Sequence, residues 1–232
     1  MRHHITDRDI TLLKFLNEFG FSGTKLIQRA IFNKQSERGA YVTARNRISS
    51  LSKLGLIEIH QNIFCKEQVL SLSEFGANFI QKLGGNKMAI VKNLRDREVV
   101  HDFQIQNIYL RFRNLGFSNF ISERKIREQS LFGELYPDLV MIDKESKAIM
   151  VEVELTQKSK TRMDKILTNY ANSKLTNKLL YICAREGIKK AVTRRAERLD
   201  LLQSKFLAVT LDQFHSPEFN NEIRSLMDGS DA

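Results

Sequence analysis

Apolar positions recur at helical spacing from the start of the chain. Ile10, Leu12, Leu13, Phe15, Leu16 and Phe19 follow Thr6, with Asp9 three residues on, and end at Gly20, which predicts a helix opened by a capping box. A second short helix is expected from Gly23 or Thr24 through Phe32. After the polar N-K-Q-S-E-R-G stretch a third runs over about Ala40 to Leu54, with Val42, Ile48, Leu51 and Leu54 inward and Gly55 as its stop. L-I-E-I-H and E-Q-V-L-S-L then alternate as a two-stranded ribbon, and S-E-F-G-A-N-F-I-Q-K-L closes with a fourth helix.

The L-G-G-N-K-M-A-I-V-K-N-L segment around Gly84 and Gly85 reads as a linker, which divides the chain into domains 1–88 and 93–232. Beyond it the pattern predicts a helix near Val99 to Asn114, a strand near Phe120 to Ile126, and two short apolar strands, Leu139 to Ile142 and Ala148 to Leu155, joined by a polar turn. A helix near Lys160 to Lys174, a strand L-L-Y-I-C-A, a helix Ile188 to Leu199 and a last strand F-L-A-V-T-L complete the reading. The fold class is therefore α/β (α+β).

The hairpin carries the candidate chemistry. Asp138 opens its first strand; in the second, Glu152 and Glu154 alternate with Val151, Val153 and Leu155, so both carboxylates share one face. Three acids at one end of a hairpin resist ionisation unless a cation sits among their oxygens, and a hard divalent ion, Mg²⁺ or Mn²⁺, satisfies that need. The plain alternative is the wet face of an antiparallel sheet beside an ordinary Pro-Asp turn.

Charge sharpens the picture. The 232 residues carry a formal net charge of +10, which favours a polyanionic partner, nucleic acid before membrane. Through Lys92 there are fourteen Lys and Arg against seven Asp and Glu, so +7 of the +10 lies in the first domain. The third helix presents Arg38, Thr43, Arg45, Asn46, Arg47, Ser50 and Lys53 opposite its apolar side, the expected DNA-reading face; a merely solvated basic face is the alternative. Cys65 and Cys183 lack metal-ligand spacing and suggest ordinary thiols. No apolar run has membrane-spanning length and no secretory leader is evident, so a cytoplasmic protein is expected.

Three helices followed by a β-ribbon is the order of a winged helix, and R-N-R-I-S-S-L-S-K-L-G-L-I-E resembles the junction of its recognition helix and wing. The later order of helix, three strands, helix and strand (αβββαβ) resembles the PD-(D/E)xK nuclease superfamily, with Pro137-Asp138 and Glu152-Val153-Glu154 at its motif. Glu154 stands where most such nucleases carry lysine; Lys158 is the nearest lysine, and the assignment of the base stays open between them. H-D-F-Q-I-Q-N-I-Y-L, S-E-R-K-I-R, Y-P-D-L-V and V-E-V-E-L-T-Q-K-S-K, with Tyr170 on the following helix, resemble the MOB-C class of plasmid relaxases and related replication-relaxation proteins.

That resemblance implies metal-dependent nicking at a plasmid transfer origin, with Asp138, Glu152 and Glu154 as catalytic acids and metal ligands. Its partners would be double-stranded origin DNA, the nicked single strand, and accessory mobilisation and coupling proteins. Glu123 is a candidate fourth acid, His101 a candidate near the site or a phosphate, and Tyr170 and Tyr136 are candidate nucleophiles. The K-S-K-T-R run at Lys158 to Arg162 is a phosphate-binding candidate at a helix start. Two other functions share these features: a DNA-binding regulator or replication protein with an inert second domain, and a type II restriction endonuclease that cuts both strands.

Overall fold

The computed structural model describes residues 4–32, 36–62, 67–91, 94–142, 148–175, 178–199, 201 and 206–222. The fold is mixed α/β with two sheets, and the chain forms two compact units, Met1–Leu110 and Arg111–Ala232.

In the first unit, α1 (Asp7–Phe19) opens with the expected capping box: Thr6 Oγ1 accepts from Asp9 N, and Thr6 N donates to Asp9 Oδ2 at 2.8 Å. Then come β1 (Phe21–Gly23), α2 (Thr24–Ile31), α3 (Glu37–Lys53), β2 (Ile57–Asn62), β3 (Glu67–Leu72) and α4 (Glu74–Lys82). The sheet is antiparallel in the order β1-β3-β2. β1 extends the expected two-stranded ribbon; at three residues it is too short to show a period of its own. Leu12, Leu16, Ile27, Ala44, Ile48, Leu51 and Leu70 fill the core. Val42 is a correction: it is 50% exposed, because Ala40, Ala44, Ile48 and Leu51 form the buried stripe of α3.

The expected linker is tied to the first unit. Asn17 Nδ2 donates to Asn86 O at 2.9 Å, and Met88 is buried. α5 (Asp96–Asn114) spans the division at Leu110 and Arg111. The part before Arg111 packs Val99 with Phe21 and Val69 and sets Tyr109 beside Phe15 and Phe19. Buried Gln106 donates through Nε2 to Phe21 O at 2.8 Å and accepts from Ser22 Oγ at 2.6 Å. These contacts move the boundary from the glycines to the middle of a helix.

In the second unit, the end of α5 is followed by β4 (Phe120–Ser122), α6 (Glu123–Gln129), β5 (Leu139–Ile142), β6 (Ala148–Glu154), α7 (Lys160–Asn172), β7 (Lys178–Cys183), α8 (Glu186–Arg198), β8 (Phe206–Thr210) and α9 (Leu211–His215). The sheet runs β4-β5-β6-β7-β8, antiparallel across β4, β5 and β6 and parallel across β6, β7 and β8. The strand expected over Phe120 to Ile126 ends at Ser122, whose Oγ accepts from Lys125 N and starts α6. The polar turn at 143–147, like Cys65, lies outside the described residues.

Parallel pairing needs crossover helices, and α7 and α8 supply them. Met163, Leu167 and Tyr170 of α7 and Ile188, Val192 and Ala196 of α8 pack in one core with Val140, Met150, Leu179 and Tyr181. A separate aromatic group joins Phe112, Phe117, Phe120, Phe214 and Phe219.

Candidate active site and nucleic-acid interface

The hairpin register builds the acid row. β5 and β6 pair Leu139 with Val151, so one step further Asp138 comes alongside Glu152; Glu152 in turn pairs with Tyr181 of β7. Glu123, the first residue of α6, donates its backbone N–H to Asp138 O at 3.2 Å. Glu123, Asp138 and Glu152 therefore stand at one level across three successive segments. Strand alternation puts Glu154 on the same face as Glu152.

None of the three principal acids is on a wet face: Asp138, Glu152 and Glu154 are 8%, 7% and 2% exposed. Each has a protein partner. Asp138 Oδ2 accepts from Val153 N at 2.6 Å, Glu152 Oε1 accepts from Tyr170 Oη at 2.5 Å, and Glu154 Oε2 is ion-paired with Lys158 Nζ. Burial, followed by the neighbouring Asp138 charge, pushes the Glu152 carboxyl from the ordinary 4.5 to about 8; Lys158 and the Tyr170 hydroxyl oppose the rise, and Glu123 adds to it. Burial and then the Glu152 charge push Tyr170 far above the usual phenol range. Tyr170 is thus a fixed donor to Glu152 rather than an activated nucleophile. Cys183, paired with Glu154 across β6 and β7, is a buried free thiol pushed up to about 12 by burial and then by the Glu154 charge.

The donor set suits a hard divalent cation in part. Asp138 and Glu152 bring buried carboxylate oxygens side by side, and a cation there would offset the burial and the Asp138 charge that together raise the Glu152 pKa. Mg²⁺ commonly takes one or two carboxylates and completes its shell with water and phosphate. Among the described residues, no group of three or more His, Cys, Asp or Glu side chains is disposed to hold a metal ion. Glu154 is engaged with Lys158, which differs from a three-acid ligand set.

Glu123 stands at the end of the row, and Tyr136 and His101 lie outside it. Glu123 pairs with Arg127, whose Nε lies 2.8 Å from Glu123 Oε1. Tyr136 is 39% exposed and lies beneath the Arg127 guanidinium. His101 belongs to the first unit, with Nδ1 3.5 Å from Asp102 Oδ1.

On α3, Arg38, Val42, Arg45, Asn46 and Lys53 are exposed along one side, with Arg45 near the Tyr41 ring. Thr43 and Ser50 are half-buried, and their hydroxyls donate to Gly39 O and Asn46 O. Arg47 is turned inward instead. Its Nε donates to Asp9 Oδ1 at 2.9 Å, and its Nη2 contacts Oδ2 of the same fully buried carboxylate. Burial raises the Asp9 pKa, but the Arg47 and Thr6 hydrogen bonds outweigh it and hold the acid below its ordinary range. Val42, 50% exposed, is the apolar residue within this otherwise polar stripe, between Arg38 and Arg45. Beside it, Lys25, Arg29 and Arg38 line a groove formed by α2 and α3.

Among the described residues no helix is long and apolar enough to cross a membrane. Comparison with protein-family models, curated proteins and solved structures finds no match to this chain.

Proposed function

We propose that the protein is a metal-dependent DNA-nicking endonuclease of the relaxase type, acting at a plasmid or mobile-element transfer origin. In this reading the first unit is a winged helix. Helices α1 to α3, the antiparallel β1-β3-β2 sheet and the exposed α3 stripe support that assignment. The second is a PD-(D/E)xK-like unit: the order helix, three strands, helix, strand is present in α5-β4-β5-β6-α7-β7, with α6 inserted after β4.

The observation that carries the proposal is the placement of buried Asp138, just before β5, alongside buried Glu152 of β6, where the Val153 amide holds its carboxylate. A scaffold gains nothing from two desolvated carboxylates whose charges oppose each other. Bound Mg²⁺ or Mn²⁺, held by Asp138 and Glu152, would supply a hydroxide-like water and charge neutralisation at the leaving 3′ oxygen. The Val153 amide fixes Asp138, and the Tyr170 hydroxyl orients Glu152. Lys158 enters from the segment before α7, four residues after Glu154, and keeps a cation beside the row in place of a strand lysine.

A second reading is favoured by the Glu154–Lys158 pair and by the lack, among the described residues, of a third ligand: a DNA-binding regulator or replication protein whose second unit is inert. Supercoiled plasmid carrying the cognate origin, incubated with protein and Mg²⁺ or Mn²⁺, separates these possibilities. The proposal expects open circle that disappears with chelator. Linear product would indicate cleavage of both strands, and unchanged supercoil would favour the regulator.

A further inference from the structure

The second unit's modest net charge conceals a strong asymmetry. Residues 158–199 hold twelve Lys and Arg against three Asp and Glu. Two of those acids are engaged: Asp164 Oδ1 lies 2.9 Å from Arg195 Nε, which joins α7 to α8, and Glu186 lies 3.8 Å from Lys189. Glu197 is the third. Lys160, Arg162 and Lys165 on α7 and Lys190, Arg194 and Arg198 on α8 are exposed.

Their placement is ordered. The buried stripe of α8 is Ile188, Val192 and Ala196, and Lys190, Arg194 and Arg198 follow the opposite side at intervals of four residues, or about 6 Å of helix rise. Burying that apolar stripe leaves α8 no hydrophobic face for a bilayer. α7 has no acid in its first turn, so Lys160 and Arg162 add to the positive end of its dipole. The same helix begins beside the Glu154–Lys158 pair and reaches Glu152 through Tyr170.

We infer that the outer face of α7 and α8 is a second nucleic-acid surface, which holds a sugar–phosphate backbone without reading bases and leads it to the acid row. The inference rests on the nucleic-acid reading above and adds a surface separate from α3. Phosphate contacts release counterions, so each one lost lowers the salt dependence of binding.

The test uses the full chain, with duplex and single-stranded DNA of about 30 nucleotides followed by fluorescence anisotropy over a salt series. Lys190→Ala/Arg194→Ala/Arg198→Ala should reduce the slope of log affinity against log salt by about 2 and weaken single-strand binding about tenfold or more near 0.1 M salt. Lys160→Ala/Arg162→Ala/Lys165→Ala should act in the same direction and provides a second variant if the first melts early. Arg8→Ala/Lys14→Ala/Lys82→Ala removes three exposed charges of the first unit, none of them on α7 or α8, and should stay within about twofold of wild type. Equal losses in grouped and scattered variants would reduce the effect to net charge and overturn the inference. So would loss confined to Arg45→Ala, although nucleic-acid binding would then stand. Failure of the wild-type chain to bind either DNA at low salt would remove the nucleic-acid reading itself.

Discussion

Arg45 and Arg47 are two positions apart on α3, yet they answer to different forces. Arg47 neutralises fully buried Asp9, which also caps α1. Arg47→Ala should therefore cost roughly 2 to 3 kcal/mol in denaturant unfolding, less than the roughly 3 to 5 kcal/mol of a fully buried broken pair because Arg47 is partly exposed. Arg45→Ala should leave stability within about 0.5 kcal/mol and weaken duplex binding instead. A stability loss of similar size in both variants would contradict the division of roles. Glu152 makes the corresponding prediction in pH. Its raised pKa means that the folded chain holds this proton more tightly than the unfolded chain, so the group's contribution to stability is full below about 4.5 and is lost as pH rises to about 8. Glu152→Gln keeps an acceptor for Tyr170 without a charge to desolvate. Its melting temperature should match wild type near pH 5 and exceed it near pH 8.5; parallel curves would refute the assignment.

α5 shows where local pattern stops being informative. Its helical period was legible, as were the α1 capping box, the alternation that sets Glu152 and Glu154 on one face, and the two strands around the polar turn. The unit that each half of α5 joins was not legible, because Gln106 is a polar residue whose burial depends on Ser22 and the Phe21 carbonyl, 84 and 85 residues away. The same limit hid the role of Arg47, whose partner is 38 residues distant, and the Tyr170–Glu152 bond. The strand over-extended at Glu123 failed for a local reason: Ser122 can cap a helix as readily as continue a strand. A fragment ending at residue 88 loses the cover over Phe21, Val69 and the Phe21 carbonyl, whereas one ending at residue 114 keeps it. The longer fragment should melt cooperatively and at higher temperature in circular dichroism. Equal melting of the two would show that the first half of α5 adds nothing to this unit.

Across the molecule, the two sheets separate two kinds of electrostatics. The first unit presents cations around α3, while the second buries an acid row beneath helices whose outer surface is basic. If the protein nicks DNA as proposed, binding and cleavage should be separable by mutation, since the row would add negative charge where the phosphate sits and the basic faces would supply the attraction. Supercoiled origin plasmid in Mg²⁺ or Mn²⁺, cut by wild type and by Asp138→Ala under conditions where both bind duplex DNA equally, tests that arrangement. The acid-row account predicts open circle from wild type and a loss of about 100-fold or more in nicking rate for Asp138→Ala with affinity unchanged or slightly higher. Asp138→Ala nicking as fast as wild type would contradict it.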